Sequence, residues 1–169
     1  MLARDPALPY RHAAPGGLTL RAMQLVDIEA LMPTEEAAYL FPWTRGIFCD
    51  CLRVGYDGWV VEDPNGALIG HAMLSYGADE GHLLNLTVAP FAQGRGVGRW
   101  MLRRLLSSAA ERGAKRLFLE VRPSNHAALV LYASEGFERI GVRPRYYPAI
   151  DDREDAWVYV RDCADLDQA

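Results

Sequence analysis

The residues best suited to chemistry lie in two short stretches. Gln93-Gly94-Arg95-Gly96-Val97-Gly98-Arg99 sets three glycines at alternate positions and adds two arginines. Glycines leave the backbone bare, and the first turn of a helix has unpaired N–H groups and a partial positive charge. The run therefore suits a phosphate or pyrophosphate. The P-loop pattern is excluded because no Gly-Lys-Ser/Thr follows, and the dinucleotide pattern is not met because the glycines fall as G-x-G-x-G. A flexible loop before an ordinary helix is the other reading of this run.

The second stretch runs from Glu120 to Tyr132. Glu120 interrupts the apolar run Leu117-Phe118-Leu119-Glu120-Val121. A carboxylate in a buried strand costs free energy unless it is bonded or becomes protonated. With a raised pKa beside a cleft it would serve as a general base for an ammonium. On an exposed face it would simply pair with a cross-strand arginine. Asn125 and Tyr132 are seven residues apart, two helical turns, and so share one helix face. Asn125 is either a cofactor ligand or an N-cap, and Tyr132 either a proton donor or a core aromatic.

Elements around these stretches must position them. Leu84, Leu86 and Val88 alternate with Asn85 and Thr87 in a strand that Pro90 ends. Leu102, Leu105, Leu106 and Ala109 mark an amphipathic helix after the glycines, which Gly113 stops. Residues 115–122 form the next strand, so strand, helix and strand predict a parallel pair. A helix follows from Ser124 or Asn125 to Glu135. Upstream, residues 18–23 alternate as a first strand, Asp27 caps a helix that Pro33 limits or kinks and that continues through Glu35 to Tyr39, and Thr44 caps another. Asn65-Gly66 between two apolar runs predicts a hairpin, with His71 an ordinary sheet histidine. Trp43 and Phe48 pack, or wall a substrate. A strand from Phe137 to Val142, a long loop through Tyr146, Tyr147 and Asp152, and a last strand from Ala156 to Val160 complete the chain.

The sum is one α/β domain, residues 18–161, with a mixed twisted sheet and helices on both faces. Residues 1–17, rich in Pro and Gly, read as a flexible lead-in, and 162–169 as an exposed tail. A net charge of −4 gives no basic face for nucleic acid. No apolar run spans a membrane and no signal-peptide core is present, so the expected location is cytoplasmic. Cys49, Cys51 and Cys163 fit neither a disulfide framework nor a metal site and read as free thiols.

Gln93 to Gly98, preceded by L-x-V-x-P, resembles the acetyl-coenzyme A pyrophosphate loop of the GNAT N-acetyltransferases. L-E-V-R-P-S-N-H-A-A-L-V-L-Y-A-S-E-G-F, from Leu119 to Phe137, resembles a segment of the RimI-type ribosomal-protein-alanine N-acetyltransferases. F-P-W-T with Phe48, and R-Y-Y-P…D-R-E-D-A, resemble two more. The resemblance implies a GNAT fold splayed beside Val88, acetyl-coenzyme A as co-substrate, no metal, and a protein N-terminus, such as that of an alanine-initiated ribosomal protein, as acceptor. It implies that Leu86, Thr87 and Val88 bond the pantetheine arm through their backbones and that Gly94 to Arg99 hold the pyrophosphate. Gln93 belongs to the same loop, and Asn125 touches the cofactor. Glu120 would be the general base and Tyr132 the general acid, with Tyr146 and Tyr147 in a loop over the peptide; at a hairpin those two rings could equally be packing. Thr87 and Asp152 depart from the family pattern, and neither is expected to touch the chemistry. With no cysteine at a motif position, direct transfer in a ternary complex is expected. Competing readings are a GNAT enzyme for small amines or lysine side chains, and a silent acyl-coenzyme A sensor.

Overall fold

The computed structural model describes residues 16–163. The expected lead-in lies outside them except for Gly16 and Gly17. The expected tail lies outside them except for Asp162 and Cys163, which are held by the domain: Asp162 pairs with Arg116, and Cys163 is buried.

Seven strands form one mixed sheet in the order β1-β2-β3-β4-β5-β7-β6. They are β1 (Thr19–Ala22), β2 (Asp57–Glu62), β3 (Leu68–Gly77), β4 (Glu80–Val88), β5 (Arg116–Val121), β6 (Glu138–Pro148) and β7 (Arg153–Asp162). Among the described residues only β4 and β5 run parallel, as the intervening helix requires. The helices are α1 (Ile28–Ala38), α2 (Arg45–Arg53), α3 (Val97–Glu111) and α4 (His126–Ser134). Strand alternation divides the apolar side chains between two cores. Trp59 and Val61 pack with Leu102, Leu105 and Leu106 of α3, whereas Val60 and Met73 pack with Leu31 of α1 and Phe48 of α2. Each fully buried leucine contributes about 2 kcal/mol. The helices thus cover both faces, as the sequence predicts.

α1 continues through Pro33 and Glu35 to Ala38, with Tyr39 as its C-cap, as the sequence predicts. Two local expectations change. The region around Tyr146 and Tyr147 is strand, with a turn only at Ala149–Asp152, closed by the Ala149 N–H on the Asp152 carbonyl. A register shift between Arg143 and Tyr147 surrounds Arg145, whose φ is +54°. That strained backbone is held by the Arg145 N–H on Asp155 and the Arg145 guanidinium forked onto Asp152, at 2.8 Å each.

The other change is in β4. Asn85 and Thr87 are buried, as Leu83 is, whereas Leu84 is exposed. The polar side chains go inward because partners await them there, described below.

Candidate functional site

The site begins where β4 and β5 part. Their pairing covers only Glu80 to Leu83 against Arg116 to Leu119. Beyond Leu83, β4 keeps β3 on one side and has no strand on the other. The Ala89 N–H bonds the Ile69 carbonyl of β3, so by alternation Leu86 and Val88 turn their backbone groups to the open side. Two carbonyls there are already engaged: Leu86 accepts from the Tyr39 hydroxyl at 2.9 Å and Val88 from Gln93 Nε2 at 2.9 Å. The N–H groups of Leu86 and Val88 stay available.

A cavity of about 1060 Å³ opens on this split. Leu86, Thr87, Val88, Gln93, Gly94, Gly96, Gly98, Arg99, Asn125 and Tyr132 line it. Gly94 and Gly96 have φ of +72° and +81°, which only glycine adopts at little cost, and Gly96 is the residue from which α3 starts. The first bond closing α3 runs from the Trp100 N–H to the Gly96 carbonyl. The N–H groups of Val97, Gly98 and Arg99 precede it and are the orphan donors of the helix start. Two residues expected here lie elsewhere in part. Val97 turns its side chain into the core, leaving only its backbone for a ligand, and Arg95 points to solvent outside the cavity lining. Arg99 lines the cavity but is bound to Glu135, which Arg103 also grips at 2.9 Å.

Asn125 caps α4, its Oδ1 accepting from the Ala128 N–H at 3.2 Å, and lines the cavity as well. Tyr132 is buried beside Phe137, and its hydroxyl has no hydrogen-bond partner among the described residues. Burial pushes its pKa up, and the neighbouring Tyr39 and Tyr147 hydroxyls add to this. The phenol therefore keeps its proton at neutral and mildly alkaline pH.

Glu120, Trp43, Tyr146 and Tyr147 come together elsewhere, around a second cavity of about 370 Å³. Of the two readings of Glu120, the structure gives the second: it is not sealed in apolar surroundings but partly exposed and ion-paired to an arginine, Arg143, at 2.6 Å. Residues of β5 alternate between the α3 side, which buries Leu119 and Val121, and the uncovered side, where Glu120 and Phe118 lie. Tyr146 is pushed up by burial and by its hydrogen bond to Glu120. Tyr147 is pushed up by burial and by the charge of Glu120, and it also senses Tyr39. Tyr147 thus lies between the carboxylate of one cavity and the phenols of the other. Trp43 is half-buried, packing on Phe48 and lining this cavity.

Sequence reasoning passed over Glu35, Tyr39 and Arg122. Glu35 follows Ile28, Leu31 and Met32 at helical spacing, and that periodicity was the available signal that it faces inward. Arg122 ends β5 and stacks on Tyr147, 4.3 Å from the ring centroid, while bonding the Pro148 carbonyl and Glu154. His71 is a sheet histidine, as expected, but a paired one, on Glu35. Among the described residues no cluster of three or more His, Cys, Asp or Glu could hold a metal ion, and no helix is long and apolar enough to cross a membrane.

The profile of the acetyltransferase (GNAT) family matches residues 23–137. The chain is 36% identical over 138 residues to the [ribosomal protein bS18]-alanine N-acetyltransferase of Escherichia coli K12, covering 82% of this chain and 93% of that one. It is 32% identical over 147 residues to the putative [ribosomal protein bS18]-alanine N-acetyltransferase of Bacillus subtilis, covering 85% and 96%. The crystal structure of the Escherichia coli ribosomal-protein-S18-alanine N-acetyltransferase superposes with a TM-score of 0.80 at 34% identity, over 86% of this chain and 94% of that one.

Proposed function

The chain belongs to the acetyltransferase (GNAT) family and is an acyltransferase, and from that premise we propose that it acetylates the N-terminal α-amine of an alanine-initiated small-subunit ribosomal protein, a bS18-like chain. The similarity to the enzymes named above supports the acceptor. The observation that carries direct transfer is the pair of cavities lined by successive parts of β4 at its split from β5, one with Leu86 to Val88, the glycine turn and Tyr132, the other with Leu83, Leu84 and Glu120.

Acetyl-coenzyme A, the co-substrate of the family, fits the first cavity. Two positive-φ glycines and the orphan N–H groups of α3 suit its pyrophosphate, and the free N–H groups of Leu86 and Val88 suit the amide carbonyls of its arm. It supplies the acetyl group as a thioester. This chain's residues do the rest. Glu120 takes a proton from the acceptor ammonium through water, and Tyr132 gives one to the departing sulfur. An α-amine with a pKa of about 8 yields its proton more readily than a lysine at about 10.4, so one carboxylate suffices. None of Cys49, Cys51 and Cys163 lines either cavity, which favours a ternary complex over an acyl-enzyme.

The test is acetyl transfer to short peptides with free Ala or Ser N-termini, beside N-blocked lysine peptides and polyamines. Transfer confined to free N-termini is the expected result. Transfer to blocked lysines or polyamines instead would overturn the acceptor and leave the family untouched.

A further inference from the structure

Glu35 is a carboxylate in the middle of α1, 1% exposed, and nothing in the proposed chemistry uses it. Its oxygens gather donors from three parts of the fold. Oε2 lies 2.8 Å from His71 Nε2 on β3 and accepts from the Thr87 hydroxyl on β4 at 3.2 Å. Oε1 accepts from the Trp43 backbone N–H at 2.8 Å, and Asn85 Nδ2 adds longer bonds at 3.3 and 3.4 Å. The Thr87 hydroxyl, with one proton to give, also lies 2.9 Å from Asn85 Oδ1 and 3.2 Å from the Tyr39 hydroxyl, and Tyr39 donates to the Leu86 carbonyl.

A solvated surface charge would not need this shell. A buried carboxylate is retained at a cost that packing alone does not require, since apolar residues of like volume fill a core as well. The shell converges on one place: the segment between α1 and α2, whose Tyr39 and Phe41 line the first cavity and whose Trp43 lines the second, is tied to β4 where β4 is open. His71 is fully buried, and its Nδ1 has no partner among the described residues, so the contacts of this shell run toward the α1–α2 segment and β4.

We propose that Glu35 is a positioning residue for acetyl transfer, fixing the α1–α2 segment and its Trp43 wall against β4 so that the acceptor amine meets the split at the right place. This rests on the acetyl-transfer reading above. It also makes Thr87, the family departure, a working part of the site, since a small apolar residue there would lose the hydroxyl's contacts with Glu35, Tyr39 and Asn85.

The experiment compares the full chain with Glu35→Gln, Glu35→Ala and Thr87→Val. It measures kcat, the KM for acceptor, the affinity for acetyl-coenzyme A, thermal stability, and hydrogen exchange over residues 39–44. Glu35→Ala should raise acceptor KM about tenfold or more well below its melting temperature. Glu35→Gln, which still accepts from the Trp43 N–H, should recover much of that. Thr87→Val should shift it in the same direction by less, and acetyl-coenzyme A affinity should change little in all three. Exchange over 39–44 should quicken in the same order. Lower stability with unchanged acceptor KM and unchanged exchange in that segment would overturn the proposal and leave Glu35 a structural ion. Should Glu35→Ala fail to fold, the other two variants decide it by the same readouts. Should the wild type transfer to no peptide, the acceptor reading fails separately, and the exchange measurement still tests the tether.

Discussion

Arg143 on β6 reaches across β7 to place its Nε 2.6 Å from the Glu120 carboxylate on β5. The guanidinium therefore sits where an acceptor ammonium would have to come. Arg143 is mostly exposed, and such pairs add at most about 1 kcal/mol to stability. Removing it should cost the fold little and leave Glu120 free for the incoming cation. Arg143→Ala is expected to lower acceptor KM about three- to fivefold, the worth of one exposed ion pair. Glu120→Gln should instead lower kcat about 100-fold, as loss of a general base does. Steady-state kinetics beside thermal melts separate the two.

Tyr132 gives a different signature. Its ring is buried and it lines the first cavity, with no hydrogen-bond partner for the hydroxyl among the described residues, so Tyr132→Phe breaks no hydrogen bond of the fold. Melting temperature should hold or rise while kcat falls about 100-fold. Burial raises the pKa of this phenol, so the protonated donor form persists as pH rises. Loss of kcat through Tyr132 is then expected only above about pH 10, the ordinary tyrosine value. A drop in kcat near pH 8 that Tyr132→Phe abolishes would give the phenol the opposite shift and remove it as the acid.

Much of this site was legible because its elements are local. The strand, the glycine turn, α3 and the cap at Asn125 each follow from residues within a few positions of one another, and neighbours in sequence decided them. What escaped was set by distant partners. Asn85 and Thr87 read as the outer face of β4 because alternation assigns polar residues to water. They lie inside because Glu35, some fifty positions upstream, receives them. For Glu120 the sequence left two readings open, buried among its apolar neighbours or exposed and paired with an arginine; among the described residues no helix covers its face of β5, and Arg143 meets it there. Tyr146 and Tyr147 read as loop because Pro148 and the acidic residues after it look like a turn. Pairing of Tyr147 with Glu154 and Pro148 with Arg153 extends the strand past them.

Glu135 links stability to pH. Burial alone would raise its pKa, but hydrogen bonds from Arg103 and Arg99 outweigh it and hold the carboxyl below its ordinary value. A depressed carboxyl contributes stability above the unfolded value of about 4.3 and loses it as pH falls through the folded value. At pH 7 the wild type should exceed Glu135→Gln by roughly 2 kcal/mol, the worth of a hydrogen bond to a charged group. That gap should close in denaturant melts taken below pH 4. A gap that persists in acid would mean that shape, not charge, makes Glu135 matter.

The glycine turn allows fold and ligand to be separated within three residues. A Cβ on Gly96 would meet nothing within 4 Å, so the cost of Gly96→Ala is its φ of +81° alone, about 1–2 kcal/mol. Gly98 has no such φ and lies within α3, and its Cβ would touch Leu131 and Val88 at an ordinary 3.7 Å. Alanine is the better helix former, so Gly98→Ala should leave stability unchanged or raise it by up to about 1 kcal/mol. Yet Gly98 lines the larger cavity, between an orphan N–H of α3 and the open edge of β4. A methyl group there stands where the backbone must approach the pyrophosphate. Gly98→Ala is therefore expected to raise the KM for acetyl-coenzyme A about tenfold with its melting temperature intact, the loss of about 1.4 kcal/mol of binding. An unchanged KM in a well-folded Gly98→Ala would move the pyrophosphate away from this turn, and with it the argument for three glycines in a row of alternate positions.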